Sequence, residues 1–370
     1  MIDAGDELEA VELVRVRVPM RRVLRAAHGV TPPARDVVLV RVVGRDGTEG
    51  WGECSALEAP TYTAEHTAGA WAVLRDHLAP AALAGDLDRV RGHPMARAAV
   101  EIAMVDLALH RSGRTLATAL GQPEPRHHGL AWCAVVGIAP RVEDLLAEVD
   151  DARSHLGSEY KLKIRPGWDV EPVGAVIRAF PDARVSVDAN GSYAGADPDP
   201  LVEVGRLVAE RGGYVEQPLA ADDLLGHAAL AARLEAPIAL DESVLAPGDA
   251  LAAQALGAAR LVNVKPARLG GVGPTVALAE AVEGRLDTFL GGMVETGVGR
   301  SAALTIGRTC TSQGVTDLGP SSYYFDEDIT EPLVLAFDAL HRGSDRPGLT
   351  SPPRPDRLAE LAVDRTVIRR

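Results

Sequence analysis

Only three of the 38 basic side chains are lysines, Lys161, Lys163 and Lys265, and each stands where an apolar run ends near a series of carboxylates. Arginine fills the other positions. A guanidinium keeps its proton at any ordinary pH, whereas an amine crowded by cations or withdrawn from water can lose it near neutrality and act as a base. Polar residues close successive apolar segments in the order Lys163, Asp188, Glu216, Asp241, Lys265 and Glu295, with separations of 25, 28, 25, 24 and 30 residues. One βα unit occupies about that length when eight of them fill roughly 250 residues, so the spacing brings these groups to one mouth of a barrel, the face on which active sites form. Solvated strand ends with no common task would carry mixed residue types. Here lysines flank three carboxylates.

Asp188, Glu216 and Asp241 make an all-oxygen donor set that suits a hard divalent cation, Mg²⁺ with Mn²⁺ as a substitute, and no histidine at a strand end argues for zinc. The alternative for the trio is a salt-bridge cluster with lysines and arginines. Lysines on the second and sixth strands would face each other across the ion, the geometry for moving protons on opposite faces of a carbon acid. A proton alpha to a carboxylate is too weakly acidic for an amine to remove in water. A cation that stabilises the developing enolate charge changes this, and a lysine of lowered pKa then serves as base. Lys161 lies two residues before Lys163 and shares its strand face. Its expected roles are to contact the substrate carboxylate and to depress the pKa of Lys163.

The elements that must position these groups follow from periodicity. Short β-rich runs from residue 131 onward, AWCAVVGI, YKLKI, RVSVDA, GYVEQ, PIALDE, RLVNVK, DTFLGG and VTDLG, alternate with amphipathic stretches such as VEDLLAEVDDARSHL, DPLVEVGRLVAERG, DLLGHAALAARL and PTVALAEAVEG. Eight regular units predict an α/β barrel, with a doubly wound open sheet as the competitor. Residues 1–125 have another rhythm: VELVRVRVP and DVVLVRVVG, then GTEGWGEC, then the helical ARAAVEIAMVDLALHRSG. They read as an α+β domain, with the barrel over 126–320 and a segment 321–370 that returns to the first domain.

Hydrophobic content of 46% and charged content of 24% are those of a soluble globular chain. A formal net charge of -14 disfavours nucleic acid and acidic membranes. Cys54, Cys133 and Cys310 form no CxxC pair and fit a reducing cytoplasm, and the acidic MIDAGDELEA is unlike a signal peptide. The glycines at 270, 271 and 273 make no nucleotide-binding fingerprint, His127 and His128 are read as linker residues facing solvent, and Ser243 has no histidine beside it in sequence. The GVGR loop opens the helical SAALTIGRT, whose first amides either hold a substrate carboxylate or merely start a helix.

YKLKIRPGWDVEPV, VDAN, VEQPL, LDES, VNVKPARLGG and GGMVETGVGR together resemble the enolase superfamily, its muconate-lactonizing subgroup, and most of all the o-succinylbenzoate synthase / N-succinylamino acid racemase family. The resemblance spans nearly the whole chain, including GWGEC and DITEP. It implies a modified TIM barrel, (β/α)7β, under an α+β cap built from both termini. It implies Mg²⁺ on Asp188, Glu216 and Asp241, Lys163 and Lys265 as the acid/base pair, and Asn190 and Glu242 behind the metal ligands. Arg268 would lie beside Lys265, and Gly292, Met293 and Glu295 would line the substrate pocket. The implied reaction is syn-dehydration of 2-succinyl-6-hydroxy-2,4-cyclohexadiene-1-carboxylate in menaquinone biosynthesis, with Lys265 as a stabilising cation. Racemisation of an N-succinylamino or other N-acylamino acid, or dipeptide epimerisation further behind, would use the same lysine pair, and Arg268 keeps racemisation open. A barrel that binds metal without turnover is the reading from another class; the intact lysines count against it. Relatives commonly assemble from dimers, so a homo-oligomer is expected by analogy. Two regions depart from the family's pattern. Leu24 and His28 replace frequent aromatics in the capping loop, where Arg25 is retained as an anion contact or a plain surface arginine, and Val135 replaces a common serine on the first barrel strand.

Overall fold

The computed structural model describes residues 8–27, 29–154, 159–336, 339–341 and 346–370. Valine-rich alternation builds the first sheet: β1 (Leu8–Pro19) runs antiparallel to β4 (Ala34–Gly44), pairing from Leu8↔Gly44 to Pro19↔Ala34, and β4 runs antiparallel to β5 (Glu49–Cys54). Branched side chains favour this extended state. Between β1 and β4 lies a small hairpin, β2 (Arg25–Ala26) with β3 (Gly29–Val30). The helix Pro94–Ser112 covers the sheet, begun by proline at its first turn and ended by Gly113 in the left-handed conformation. The glycines of GWGEC have a steric reason: a Cβ on Gly52 would stand 2.0 Å from the Ala99 carbonyl oxygen, and one on Gly50 2.1 Å from that of Ala103. Gly52→Ala must therefore push the helix off the sheet. It is expected to cost roughly 1–3 kcal/mol, seen as a lower midpoint in thermal unfolding followed by circular dichroism.

The second sheet is a ring. Strands β6 (Leu130–Val136), β7 (Glu159–Lys163), β8 (Arg184–Asp188), β9 (Val215–Glu216), β10 (Ile238–Leu240), β11 (Leu261–Val264), β12 (Asp287–Leu290) and β13 (Val315–Thr316) are parallel neighbours in that order. Val315↔Ala131 and Thr316↔Trp132 close the ring between β13 and β6, which excludes the open sheet. Helices cross between consecutive strands, and Asp169 and Asp223 cap two of them by accepting from Val170 N at 2.7 Å and Gly226 N at 2.7 Å. The fold is thus a (β/α)7β barrel under an α+β cap. The helical reading of DPLVEVGRLVAERG overran: that helix ends at Ala209, and the chain reverses at the left-handed Gly212. In VEDLLAEVDDARSHL the helix covers Val142–Ser154, and the last two residues lie outside the described ones.

After the barrel, β14 (Val334–Ala336) and β15 (Ala339–His341) form a hairpin whose second strand runs antiparallel to β6. The chain then returns to the cap as β16 (Ala362–Arg369), paired antiparallel with β1 from Ala10↔Arg369 to Val16↔Ala362. The layer between ring and helices is filled by Tyr160, Leu162, Val185, Val187, Ile238 and Leu240 against residues such as Val173, Val204 and Leu278. Ala267, from the short helix Pro266–Leu269 after β11, and Met293, from the loop after β12, pack into the cap's own core with Leu13, Val40 and Leu107. Among the described residues no helix is long and apolar enough to cross a membrane.

Candidate active site

Tyr160 and Leu162 of β7 point into the helix layer, so Lys161 and Lys163 face the barrel interior. Asp188 ends β8 directly beside Glu216, its register partner on β9, and Asp241 follows the last residue of β10. Lys265 follows β11, four places from β7 in a ring of eight, so Lys163 and Lys265 come from opposite walls. Both line one cavity of about 410 Å³ between barrel and cap, together with Lys161, Asp188, Asn190 and Asp317. Glu216 and Asp241 are fully buried beneath it.

Every carboxylate of the trio is held by a cation. Lys163 Nζ lies 2.6 Å from Asp188 Oδ2 and donates to Asn190 Oδ1 at 2.9 Å. Lys161 Nζ bonds Glu216 Oε2 at 2.8 Å and also Asp317. Asp241 takes Lys265 Nζ at 2.8 Å on Oδ2 and Arg268 Nη2 at 2.8 Å on Oδ1. Asn190 Nδ2 donates to Glu242 Oε1 at 3.0 Å, while Glu242 Oε2 is buried and meets no partner among the described residues. Burial pushes the Glu242 carboxyl up to about 8, reinforced by Asp241 and Asp188. Burial raises Glu216 as well, with Asp188 and Asp241 adding repulsion. Burial also opposes ionisation of Asp241, but Lys265 and Arg268 outweigh it and hold that carboxyl below its ordinary range.

Lys161 is locked between Glu216 and Asp317. Burial works against its charge, yet those carboxylates keep its pKa well above that of an ordinary lysine, and Asp241 does the same for Lys265.

The residues fit a divalent cation by chemistry: Asp188, Glu216 and Asp241 bring carboxylate oxygens to the ends of three successive strands, the donor type that a hard cation prefers, and the orphaned Glu242 Oε2 lies in the same polar cluster. In this conformation the lysines occupy the carboxylate oxygens. Among the described residues, correspondingly, no three acidic, histidine or cysteine side chains are grouped as an ion site.

Other expected site residues fall on and off the cavity wall. Val135, Gly292 and Met293 line it, whereas Glu295 is buried behind and Val294 takes its place. Val294 has φ 57°, a left-handed conformation strained for a branched residue, and this turns the chain so that Glu295 points away. Arg25 is exposed and off the wall while Leu24 and Ala26 line it, because successive residues of an extended hairpin face opposite ways. His28 lies outside the described residues. Arg268 is buried against Asp241 and the Val244 carbonyl, beneath Lys265. The first amides of the helix Gly297–Cys310 serve protein carboxylates: Glu53 accepts from Thr296 N and Gly299 N at 3.0 Å each, and Asp328 from Gly297 N at 2.9 Å. His127 is not a free solvent-facing side chain, since its Nε2 lies 3.0 Å from the Thr311 carbonyl.

Burial pushes the Glu53 carboxyl up to about 7, and nearby Glu295 adds to the shift while the Thr296 and Gly299 bonds and Arg35 oppose it. A raised folded-state pKa means that this group favours the native state fully below about 4.5 and loses that contribution as pH rises through about 7. Glu53→Gln is expected to flatten part of the fall in unfolding temperature over that window, measured by calorimetry; an unchanged slope contradicts it.

Four site residues were missed in the sequence. Asp317, one residue after β13, lines the cavity and accepts from Gly292 N at 2.6 Å; its signal was the charge in VTDLG. Tyr62, from the cap, donates to Asp241 Oδ2 at 2.8 Å and accepts from Lys265 Nζ at 3.1 Å, with no periodic signal at all. Asn263 donates to Glu216 Oε1 at 2.7 Å. Gln217 Oε1 accepts from Asp241 N at 2.9 Å and Ser243 N at 3.2 Å, holding the segment that carries Asp241.

Comparison with known proteins agrees with this architecture. Residues 144–357 match the family model described as enolase C-terminal domain-like. The chain is 37% identical over 373 residues to an N-succinylamino acid racemase of Amycolatopsis, covering 96% of this chain and 98% of that protein. It is 36% identical over 358 residues to an o-succinylbenzoate synthase of Geobacillus stearothermophilus, with 92% of each chain covered. A solved structure of a probable mandelate racemase from Alicyclobacillus acidocaldarius superposes with a TM-score of 0.85 at 34% identity, covering 98% of this chain and 99% of the other. With a closed barrel, a two-terminus cap and a family match over more than half its length, the chain belongs to the enolase C-terminal domain-like family of the enolase superfamily.

Proposed function

We propose that the protein is an o-succinylbenzoate synthase, a divalent-cation-dependent lyase that dehydrates 2-succinyl-6-hydroxy-2,4-cyclohexadiene-1-carboxylate in menaquinone biosynthesis. The observation that carries the reading is the approach of Lys163 and Lys265 from opposite walls to one cavity that Asp188 lines, with Glu216 and Asp241 buried beside it. Mg²⁺, bound by those three carboxylates, would supply Lewis-acid stabilisation of negative charge on the substrate carboxylate. Lys163 takes the proton alpha to that carboxylate. In a syn elimination the same ammonium returns it to the departing hydroxyl, so water leaves and the ring becomes aromatic. Lys265, held by Asp241 and Tyr62, faces the anion as a cation. Asn190 links Glu242 to Lys163 and orients its amine. The cap closes the cavity with Leu24, Val30, Leu57 and Tyr62, which limits water at the reacting carbon.

Racemisation of an N-succinylamino acid is the second reading, favoured by Lys265 reaching the cavity opposite Lys163 and by the name of the Amycolatopsis relative. Comparing kcat/KM on the cyclohexadiene and on N-succinylamino acids tests the choice: dominance of racemisation by more than about a hundredfold overturns the lyase assignment. The free buried cysteines accord with a cytoplasmic site of action.

Cation dependence has a readout apart from turnover. Mg²⁺ at about a hundredfold excess over its Kd should stabilise the fold by about 2.7 kcal/mol, raising the unfolding midpoint, and a chelator should reverse both this shift and activity. An unmoved midpoint together with chelator-resistant turnover contradicts the assignment of the carboxylate trio.

A further inference from the structure

Arg35 lies on β4 of the cap, far in sequence from every strand end of the barrel, and is almost completely buried. A guanidinium offers five N–H donors. Here all of them meet backbone carbonyls. Nε donates to Val294 O at 3.1 Å; Nη1 donates to Ala56 O at 3.0 Å and Asp36 O at 3.4 Å; Nη2 donates to Met293 O at 3.3 Å and to Ser55 O. Among the described residues it has no direct carboxylate partner, although burying an arginine in that state is costly.

Asp36 is the next residue on β4; the other four acceptors lie on or directly beside two different walls of the cavity. Met293 and Val294 are the wall contributed by the loop after β12, and Ser55 and Ala56 lead directly into Leu57, Glu58, Ala59, Thr61 and Tyr62, the wall contributed by the cap. The barrel loop is the strained one, with Val294 at φ 57° and its carbonyl bonded by Arg35 Nε. A branched residue persists in that conformation only where its surroundings over-determine it.

We propose that Arg35 is a positioning residue that fixes the cap wall and the barrel wall of the substrate cavity relative to each other, and so sets how tightly the part of the substrate remote from the reacting carbon is held. The consequence for substrate rests on the proposed function; the clamp itself does not. A lysine at this place has three donors on a flexible stem and cannot span carbonyls on both walls, and methionine fills the volume without bonding either.

The experiment compares the wild-type protein with Arg35→Lys and Arg35→Met by amide hydrogen exchange with mass spectrometry and, in parallel, by steady-state kinetics on the cyclohexadiene and on N-succinylamino acids. Exchange is expected to rise in residues 55–62 and 292–296 together, more in Arg35→Met than in Arg35→Lys, with the rest of the barrel unchanged. KM is expected to rise about tenfold while kcat stays within about threefold, the pattern of lost binding that is uniform between ground and transition states. Faster exchange in only one segment, or in neither, overturns the clamp. Joint faster exchange with unchanged KM overturns its effect on substrate. Should the wild-type protein turn over neither substrate, the proposed function fails while the exchange data still decide the clamp. If Arg35→Met does not fold, the decision falls to Arg35→Lys, for which a global rise in exchange counts against a local role.

Discussion

Lys163→Arg is expected to lower turnover about 10²- to 10⁴-fold, the range that a positioned general base contributes, with the fold intact. Arginine retains the charge that Asp188 pairs with at 2.6 Å and a comparable length, so the ion pair at the end of β7 survives. What it loses is the ability to become neutral, since a guanidinium does not give up its proton in a protein. The side chain is partly open to the cavity, so the larger head can be accommodated without opening the core. Circular dichroism and thermal unfolding should resemble the wild type. Near-normal activity in the folded variant removes Lys163 from the base role.

Lys265→Arg separates the two chemistries. In the proposed dehydration Lys265 would act only as a cation beside Asp241, and a guanidinium can supply that charge, so measurable lyase activity should remain. Racemisation requires Lys265 to donate or accept a proton on the face opposite Lys163, and it should fall by about 10²-fold or more. Lys265 is buried and already shares Asp241 with Arg268, so some loss of kcat/KM in the lyase reaction is expected from crowding. Equal loss of both activities would contradict a purely electrostatic role in the dehydration. Full racemase activity would contradict its role as an acid/base group.

The ladder from Lys163 to Lys265 was legible because two regularities act together: strand alternation puts Lys161 and Lys163 on one face, and a constant unit length returns the chain to the same mouth. The ladder failed at Glu295. That residue lies five positions beyond the end of β12, past the left-handed Val294, where strand period no longer governs direction. Asp317 escaped notice because β13 is two residues long and offers no alternation to read. Tyr62 reaches Asp241 across 179 residues from a cap loop, a contact fixed only when the two domains pack. The amine pairings were equally hidden. Which carboxylate a lysine takes depends on rotamers and on competing charges, and the sequence order of Lys161 and Lys163 pointed to mutual repulsion rather than to separate acidic partners. Arg25 shows the same limit in the cap: its strand is two residues long, and Ala26 and the preceding Leu24 line the cavity while Arg25 does not.

Proton movement at the alpha carbon tests the central claim most directly. The wild-type protein, with Mg²⁺ in deuterium oxide, should be given each enantiomer of an N-succinylamino acid and, separately, the cyclohexadiene substrate, followed by NMR. The predicted result is Mg²⁺-dependent formation of the aromatic product, with loss of the alpha-proton signal from at least one enantiomer, both slowed at least about 10²-fold in Lys163→Arg for the face that Lys163 serves. Absence of dehydration and of alpha exchange from either enantiomer, in folded and Mg²⁺-saturated protein, would contradict a pair of amines acting on a carbon acid in this cavity.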